Sequence, residues 1–111
     1  MIYLVRELSN LILKKLQPNK VVILYGARRV GKTMLVNEIL AKVNEPILRL
    51  NGDDINVHDK LSIRSIENYK QILGTCKLLY IDEAQKIPEI GLKLKLMIDE
   101  IEGLRIIISG S

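Results

Sequence analysis

Val21-Val22-Ile23-Leu24-Tyr25, Leu78-Leu79-Tyr80-Ile81 and Ile106-Ile107-Ile108 are short, unbroken apolar runs, several rich in β-branched residues. Such runs suit strands covered on both faces, the situation of a parallel sheet packed between helices. The intervening stretches change to helical spacing. From Tyr3 to Leu16, one face gathers Leu4, Leu8, Leu11, Ile12 and Leu16, with Arg6, Asn10 and Lys14 opposite, and Gln17-Pro18-Asn19 ends the pattern. Thr33 to Val43 is predicted helical with Leu35, Ile39 and Leu40 inward. Pro46 to Leu50 reads as another strand, closed by Asn51-Gly52-Asp53-Asp54. A single helix is expected from Val57 to Leu73, stopped by Gly74. Pro88 is expected in the first turn of a last helix that turns Ile90, Leu94, Met97, Ile98 and Ile101 inward. Leu92 to Leu96 alternates as a strand would, but the apolar set continues at helical spacing to Ile101, which favours helix. Strands alternating with helices predict an α/β fold with a parallel sheet.

The chain of 111 residues has the size of one domain, and its 48% hydrophobic content supplies a core. A net charge of +4, from 17 basic and 13 acidic side chains, suits phosphate-rich ligands or a nucleic-acid surface without choosing between them. Four scattered tyrosines, with no Phe or Trp, make a poor platform for stacking single-stranded bases. Cys76 is the only cysteine, so an intrachain disulfide is excluded. No apolar run reaches the roughly 20 residues of a membrane span. Arg6 and Glu7 interrupt the N-terminal apolar stretch where a secretory signal would be uncharged. A cytoplasmic protein is expected.

Gly26-Ala27-Arg28-Arg29-Val30-Gly31-Lys32-Thr33 matches the phosphate-loop pattern G-x-x-x-x-G-K-[ST], between a predicted strand and a predicted helix. Gly26 and Gly31 permit backbone conformations that aim successive N–H groups at phosphate oxygens. Lys32 brings a positive charge to the β- and γ-phosphates, Thr33 offers a hydroxyl to Mg²⁺, and the helix start adds its partial positive charge. The nucleotide-contacting segment is therefore expected to run from Gly26 through Met34. Arg28 and Arg29 fill free loop positions. They read as solvated or as diffuse attraction for a polyphosphate; the alternative is an internal arginine finger at the γ-phosphate.

Leu78 to Ile81 runs straight into Asp82-Glu83. Open parallel sheets bind ligands at the carboxyl ends of their strands, so Asp82 is expected beside the phosphate loop, holding Mg²⁺ together with Thr33. Glu83 is expected as the general base for an attacking water. The plainer reading is that both acids only open the next helix. Ser109 ends the last strand, as a contact to the γ-phosphate or the lytic water, or as a turn residue beside Gly110. His58 has no neighbouring His or Cys to complete a zinc set and reads as a surface residue. Asp53 and Asp54 read as turn or helix-cap residues, and Asp99, Glu100 and Glu102 as a solvated helix face. Lys14, Lys15 and Lys20 form a modest basic cluster that could touch nucleic acid. Asn19-Lys20 is followed by Val21-Val22 and is no Asn-Lys-x-Asp guanine reader, so adenine is the expected base.

Read together, Gly-Ala-Arg-Arg-Val-Gly-Lys-Thr, Leu-Tyr-Ile-Asp-Glu-Ala-Gln and Ile-Ile-Ile-Ser-Gly-Ser resemble archaeal and bacterial AAA-type P-loop ATPases. That group carries Gly-Pro-Arg-Arg-x-Gly-Lys-Thr, then Asp-Glu-x-Gln at a strand end, then an apolar strand closing in Thr-Gly-Ser. The resemblance extends from about Arg6 to Ser111. It implies a three-layer α/β/α P-loop fold with strand order 1-4-3-2 and binding and hydrolysis residues at Lys32, Thr33, Asp82 and Glu83. Ser109 falls at the position called sensor 1. Ala27 replaces the usual Pro and Ser109 the usual Thr. Because members continue into a fifth strand, a helical lid and a further domain, residues 1–111 are expected to be the N-terminal part of such a nucleotide-binding domain. The implied function is Mg²⁺-dependent ATP hydrolysis, with ATP and ADP as ligands and a protein or DNA client unidentified. The alternatives are a non-catalytic nucleotide-binding fragment or switch, and a nucleic-acid-stimulated motor.

Overall fold

The computed structural model describes the backbone of residues 2–25 and 30–110 and the side chains of residues 6–25 and 32–110. The elements run α1 (Ile2–Lys15), β1 (Lys20–Tyr25), α2 (Val30–Ala41), β2 (Ile47–Asn51), α3 (Ile55–Leu61), α4 (Ile66–Leu73), β3 (Leu78–Asp82), a 3₁₀ turn (Ala84–Lys86), α5 (Ile90–Glu100) and β4 (Arg105–Gly110). All strand pairs are parallel, in the order β1-β4-β3-β2, as the resemblance implied. Ile107 lies between Val22 and Tyr80, so the last strand in sequence is central in space.

Strand periodicity divides the core into two layers. Leu78, Tyr80 and Ile107 face Leu16, Val36, Ile39 and Leu40 of the α1–α2 layer. Leu79, Ile81, Ile106 and Ile108 face Val57, Leu61, Tyr69, Leu73, Leu94, Met97 and Ile101 of the α3–α4–α5 layer. The continuous apolar runs of β3 and β4 follow from this double burial. Among the described residues, no helix is long and apolar enough to cross a membrane.

Three local expectations are corrected. The single helix from Val57 to Leu73 is two helices, broken between Leu61 and Ile66. Ser65 caps α4 by accepting from the Asn68 N–H, and the Asn68 side chain donates to the carbonyls of Lys60 and Ile63 at 2.8 and 2.9 Å. Those polar bonds pin the break and overrule the apolar spacing. Pro88 lies ahead of the first turn of α5, because Glu89 takes a left-handed conformation (φ 53°) and delays the helix to Ile90. On α1, Ile12 and Leu16 turn inward, but Leu8 and Leu11 stay exposed and Ser9 is fully buried. The reason is that α1 packs on α2: Ser9 accepts from the Lys42 ammonium at 2.8 Å and donates to the Arg6 carbonyl.

Candidate functional site

Three chain segments meet at the carboxyl edge of the sheet. The first is the start of α2. Gly26, Ala27, Arg28 and Arg29, expected to cradle phosphate, lie outside the described residues, as does the side chain of Val30, and Gly31 lies in the first turn of α2. Lys32, Thr33 and Met34 follow in the opening turns of α2, Met34 half-buried and outside the residues that line the cleft described below. The Lys32 ammonium donates to the carbonyl of Gly110, the final residue of β4, so the lysine lies across the end of the central strand.

The second segment is the end of β3. Asp82 Oδ1 accepts from its neighbour's backbone, the Glu83 N–H, at 3.0 Å and from the Ser109 hydroxyl at 2.9 Å. Glu83 turns the chain sharply, in the left-handed region at φ 51° and ψ 44°, and is buried. Its carboxylate lies 3.9 Å from the Lys86 ammonium, which also pairs with Asp53 at 2.8 Å. The expectation of Asp82-Glu83 as mere openers of a helix fits poorly with this arrangement, since only a three-residue 3₁₀ turn follows and neither acid caps it with its side chain.

The third segment joins β2 to α3. The Gly52 N–H donates to the Asp82 carbonyl at 2.7 Å, and a Cβ at Gly52 would lie 2.0 Å from the Glu83 carbonyl oxygen. Only glycine fits so close a backbone crossing. Asp54 caps α3 by accepting from the Asn56 N–H, as expected of a cap residue. Asp53 does more than turn the chain, since it holds Lys86. His58 is half-buried where a surface residue was expected, and its Nε2 lies 2.6 Å from the Gly52 carbonyl. A carbonyl can only accept, so Nε2 carries the proton.

Between α2 and the strand ends is a cleft of about 210 Å³ lined by Lys32, Thr33, Val36, Asn37, Arg49, Tyr80, Asp82 and Ser109. Four of the sequence-selected residues, Lys32, Thr33, Asp82 and Ser109, therefore share one wall-to-wall space. Tyr80, Arg49 and Asn37 were not singled out. Tyr80 lies two residues before Asp82 on a strand and so shares its face, and Arg49 is its register partner on β2. A hydroxyl in an otherwise aliphatic buried strand was the legible signal. The Tyr80 hydroxyl lies 2.7 Å from Ser109 Oγ. Burial raises its pKa above the ordinary 10.0, and the nearby Asp82 adds to the rise.

Among the described residues, no cluster of three or more His, Cys, Asp or Glu could cage a metal by itself. The donors at hand are one carboxylate oxygen of Asp82 and the exposed hydroxyl of Thr33, facing an open cleft. All are hard oxygens, few in number, with space for waters and phosphate oxygens. That donor set fits Mg²⁺, which keeps several waters and takes one or two protein ligands beside a polyphosphate. The basic side chains of Lys32 and Arg49 in the same cleft fit the polyphosphate itself.

Comparison with curated proteins gave no match, and comparison with solved structures gave none. A family model described as AAA domain matches residues 18–111, from the turn before β1 to the end of β4. The match takes in the whole parallel sheet and every residue of the cleft. The chain thus belongs to the AAA domain family, as an AAA-type, P-loop NTPase-like nucleotide-binding domain.

Proposed function

We propose that this domain binds ATP together with Mg²⁺ and hydrolyses it. The observation that supports this reading is the convergence of Lys32 and Thr33, from the start of α2, with Asp82 and Ser109, from two strand ends, on one cleft. The fuller likeness to the Gly-Pro-Arg-Arg-x-Gly-Lys-Thr group supports ATP over other nucleotides, as does the lack of a guanine reader at Asn19-Lys20.

Lys32 supplies donors and positive charge for the terminal phosphates, its ammonium exchanging the Gly110 carbonyl for a phosphate oxygen. Thr33 and Asp82 would hold the cation, and a bound Mg²⁺ neutralises charge on the β- and γ-phosphates. Glu83, one residue beyond Asp82 but outside the residues that line the cleft, would direct and deprotonate a water toward the γ-phosphorus. The bond to the bridging oxygen then breaks, and ADP is the leaving group. The wall formed by Tyr80 and Val36 limits solvent on one side of the cleft.

The test is Mg²⁺-ATP binding and turnover by the chain beside Lys32→Ala and Glu83→Gln. Glu83→Gln is expected to keep ATP binding and lose turnover by about 10² to 10⁴, whereas Lys32→Ala weakens binding itself. Binding without turnover in the unmodified chain would replace the proposal with a non-catalytic nucleotide switch. Absence of any nucleotide binding would remove both.

A further inference from the structure

We propose that Tyr80 is a positioning residue: its hydroxyl sets Ser109, and Ser109 sets the Asp82 carboxylate that faces the cation. The proposal rests on reading the cleft as a Mg²⁺-nucleotide site. Proton bookkeeping gives the direction of the chain. An ionised carboxylate can only accept, so Ser109 spends its single proton on Asp82 Oδ1, 2.9 Å away. Ser109 Oγ can then only accept from Tyr80, 2.7 Å away, and the tyrosine hydroxyl is the donor. The order is Tyr80 to Ser109 to Asp82.

The Tyr80–Ser109 link is buried, with Tyr80 9% and Ser109 1% exposed, and the Ser109–Asp82 link is partly buried; hydrogen bonds gain strength as water is excluded. Oδ1 of Asp82 also takes the Glu83 N–H at 3.0 Å. That oxygen is committed to two protein donors, which leaves Oδ2 with the greater capacity for a ligand. The identity of the residue supports the role. Leu78, Leu79 and Ile81 of the same strand are wholly aliphatic and buried, so phenylalanine would satisfy packing at position 80 without a hydroxyl to desolvate.

Partners that orient metal ligands typically change metal affinity by about 10- to 100-fold when removed. The experiment measures ATP affinity by calorimetry with Mg²⁺ and with EDTA, and takes the ratio, for the unmodified chain, Tyr80→Phe, Ser109→Ala and the double variant, with thermal melting as the folding control. Tyr80→Phe is expected to shrink the ratio about tenfold and Ser109→Ala at least as much. The double variant is expected to lose no more than Ser109→Ala alone, because the two act in series. An unchanged ratio in Tyr80→Phe, or losses that simply add, overturns the proposal. If Tyr80→Phe does not melt cooperatively, Ser109→Ala decides, and an unchanged ratio there overturns it equally. An unmodified chain whose ATP affinity ignores Mg²⁺ removes the underlying reading and this proposal with it. A Mg²⁺ response that Tyr80→Phe leaves intact removes the proposal alone.

Discussion

Replacing Gly52 with alanine puts one methyl group where β2 crosses the end of β3. The new Cβ would sit 2.0 Å from the Glu83 carbonyl oxygen, 2.8 Å from its carbon and 3.2 Å from the Asp82 carbonyl oxygen. All three are backbone atoms, so no side-chain rotation relieves the contact. The strand ends must separate by about 1.5 Å to reach ordinary carbon–oxygen contact. Such a shift breaks the 2.7 Å bond from Gly52 N–H to the Asp82 carbonyl and disturbs the 2.6 Å contact between His58 and the Gly52 carbonyl. Two hydrogen bonds are worth about 0.5–1.5 kcal/mol each, and forced displacement of packed backbone adds about 1–3 kcal/mol. The expected loss is therefore about 2–6 kcal/mol, a large part of the roughly 5–15 kcal/mol available to a domain. In urea this corresponds to a midpoint lowered by about 1–3 M. Gly91→Ala is the control, because a Cβ there meets nothing within 4 Å and the residue lies in α5, where alanine is favoured by about 0.5–1 kcal/mol. The two substitutions should move the midpoint in opposite directions. A Gly52→Ala midpoint within about 0.3 M of the unmodified chain would refute the close crossing and the geometry it imposes on Asp82 and Glu83.

Tyr69 is 1% exposed and its hydroxyl has no hydrogen-bond partner among the described residues, beside an apolar cavity of about 10 Å³. An unpartnered buried hydroxyl costs about 1–3 kcal/mol, so Tyr69→Phe is expected to raise stability by about 1 kcal/mol in urea denaturation; a loss instead would mean that the hydroxyl is bonded after all. Burial, opposed by Arg64, also raises the Tyr69 pKa above 10.0 in the folded chain. The unfolded chain therefore ionises first, and the stabilisation is complete below pH 10 and lost as pH rises through the folded value. Tyr69→Phe should flatten that alkaline decline, and the share due to Tyr80 should remain. Asn19 adopts φ 62° and its side chain donates to the carbonyls of Ile98 and Ile101 at 2.7 and 3.0 Å. Asn19→Ala should destabilise by about 2–3 kcal/mol, from two lost bonds and a left-handed alanine, and Asn19→Gly by less; equal losses would show that backbone strain has no part.

The strands were legible because double burial leaves a local mark: Leu78 to Ile81 and Ile106 to Ile108 needed no knowledge of their neighbours to be read. The place of Asp82 at a strand end was legible for the same reason, as the first charge after such a run, and that of Lys32 and Thr33 at a helix start as fixed positions between a strand and a helix. The split between α3 and α4 was not, since apolar spacing runs through it and the side-chain bonds of Ser65 and Asn68 made the break.

Which residues touch was decided in three dimensions. Tyr80 and Ser109 are 29 positions apart, and they meet because β4 lies beside β3 in parallel register. The need for glycine at 52 and the pairing of Lys86 with Asp53 likewise depend on β2 lying beside β3. Burial periodicity is written along a chain, residue by residue. Contacts between strand ends arise only when the sheet order is chosen, and no local pattern carries that choice.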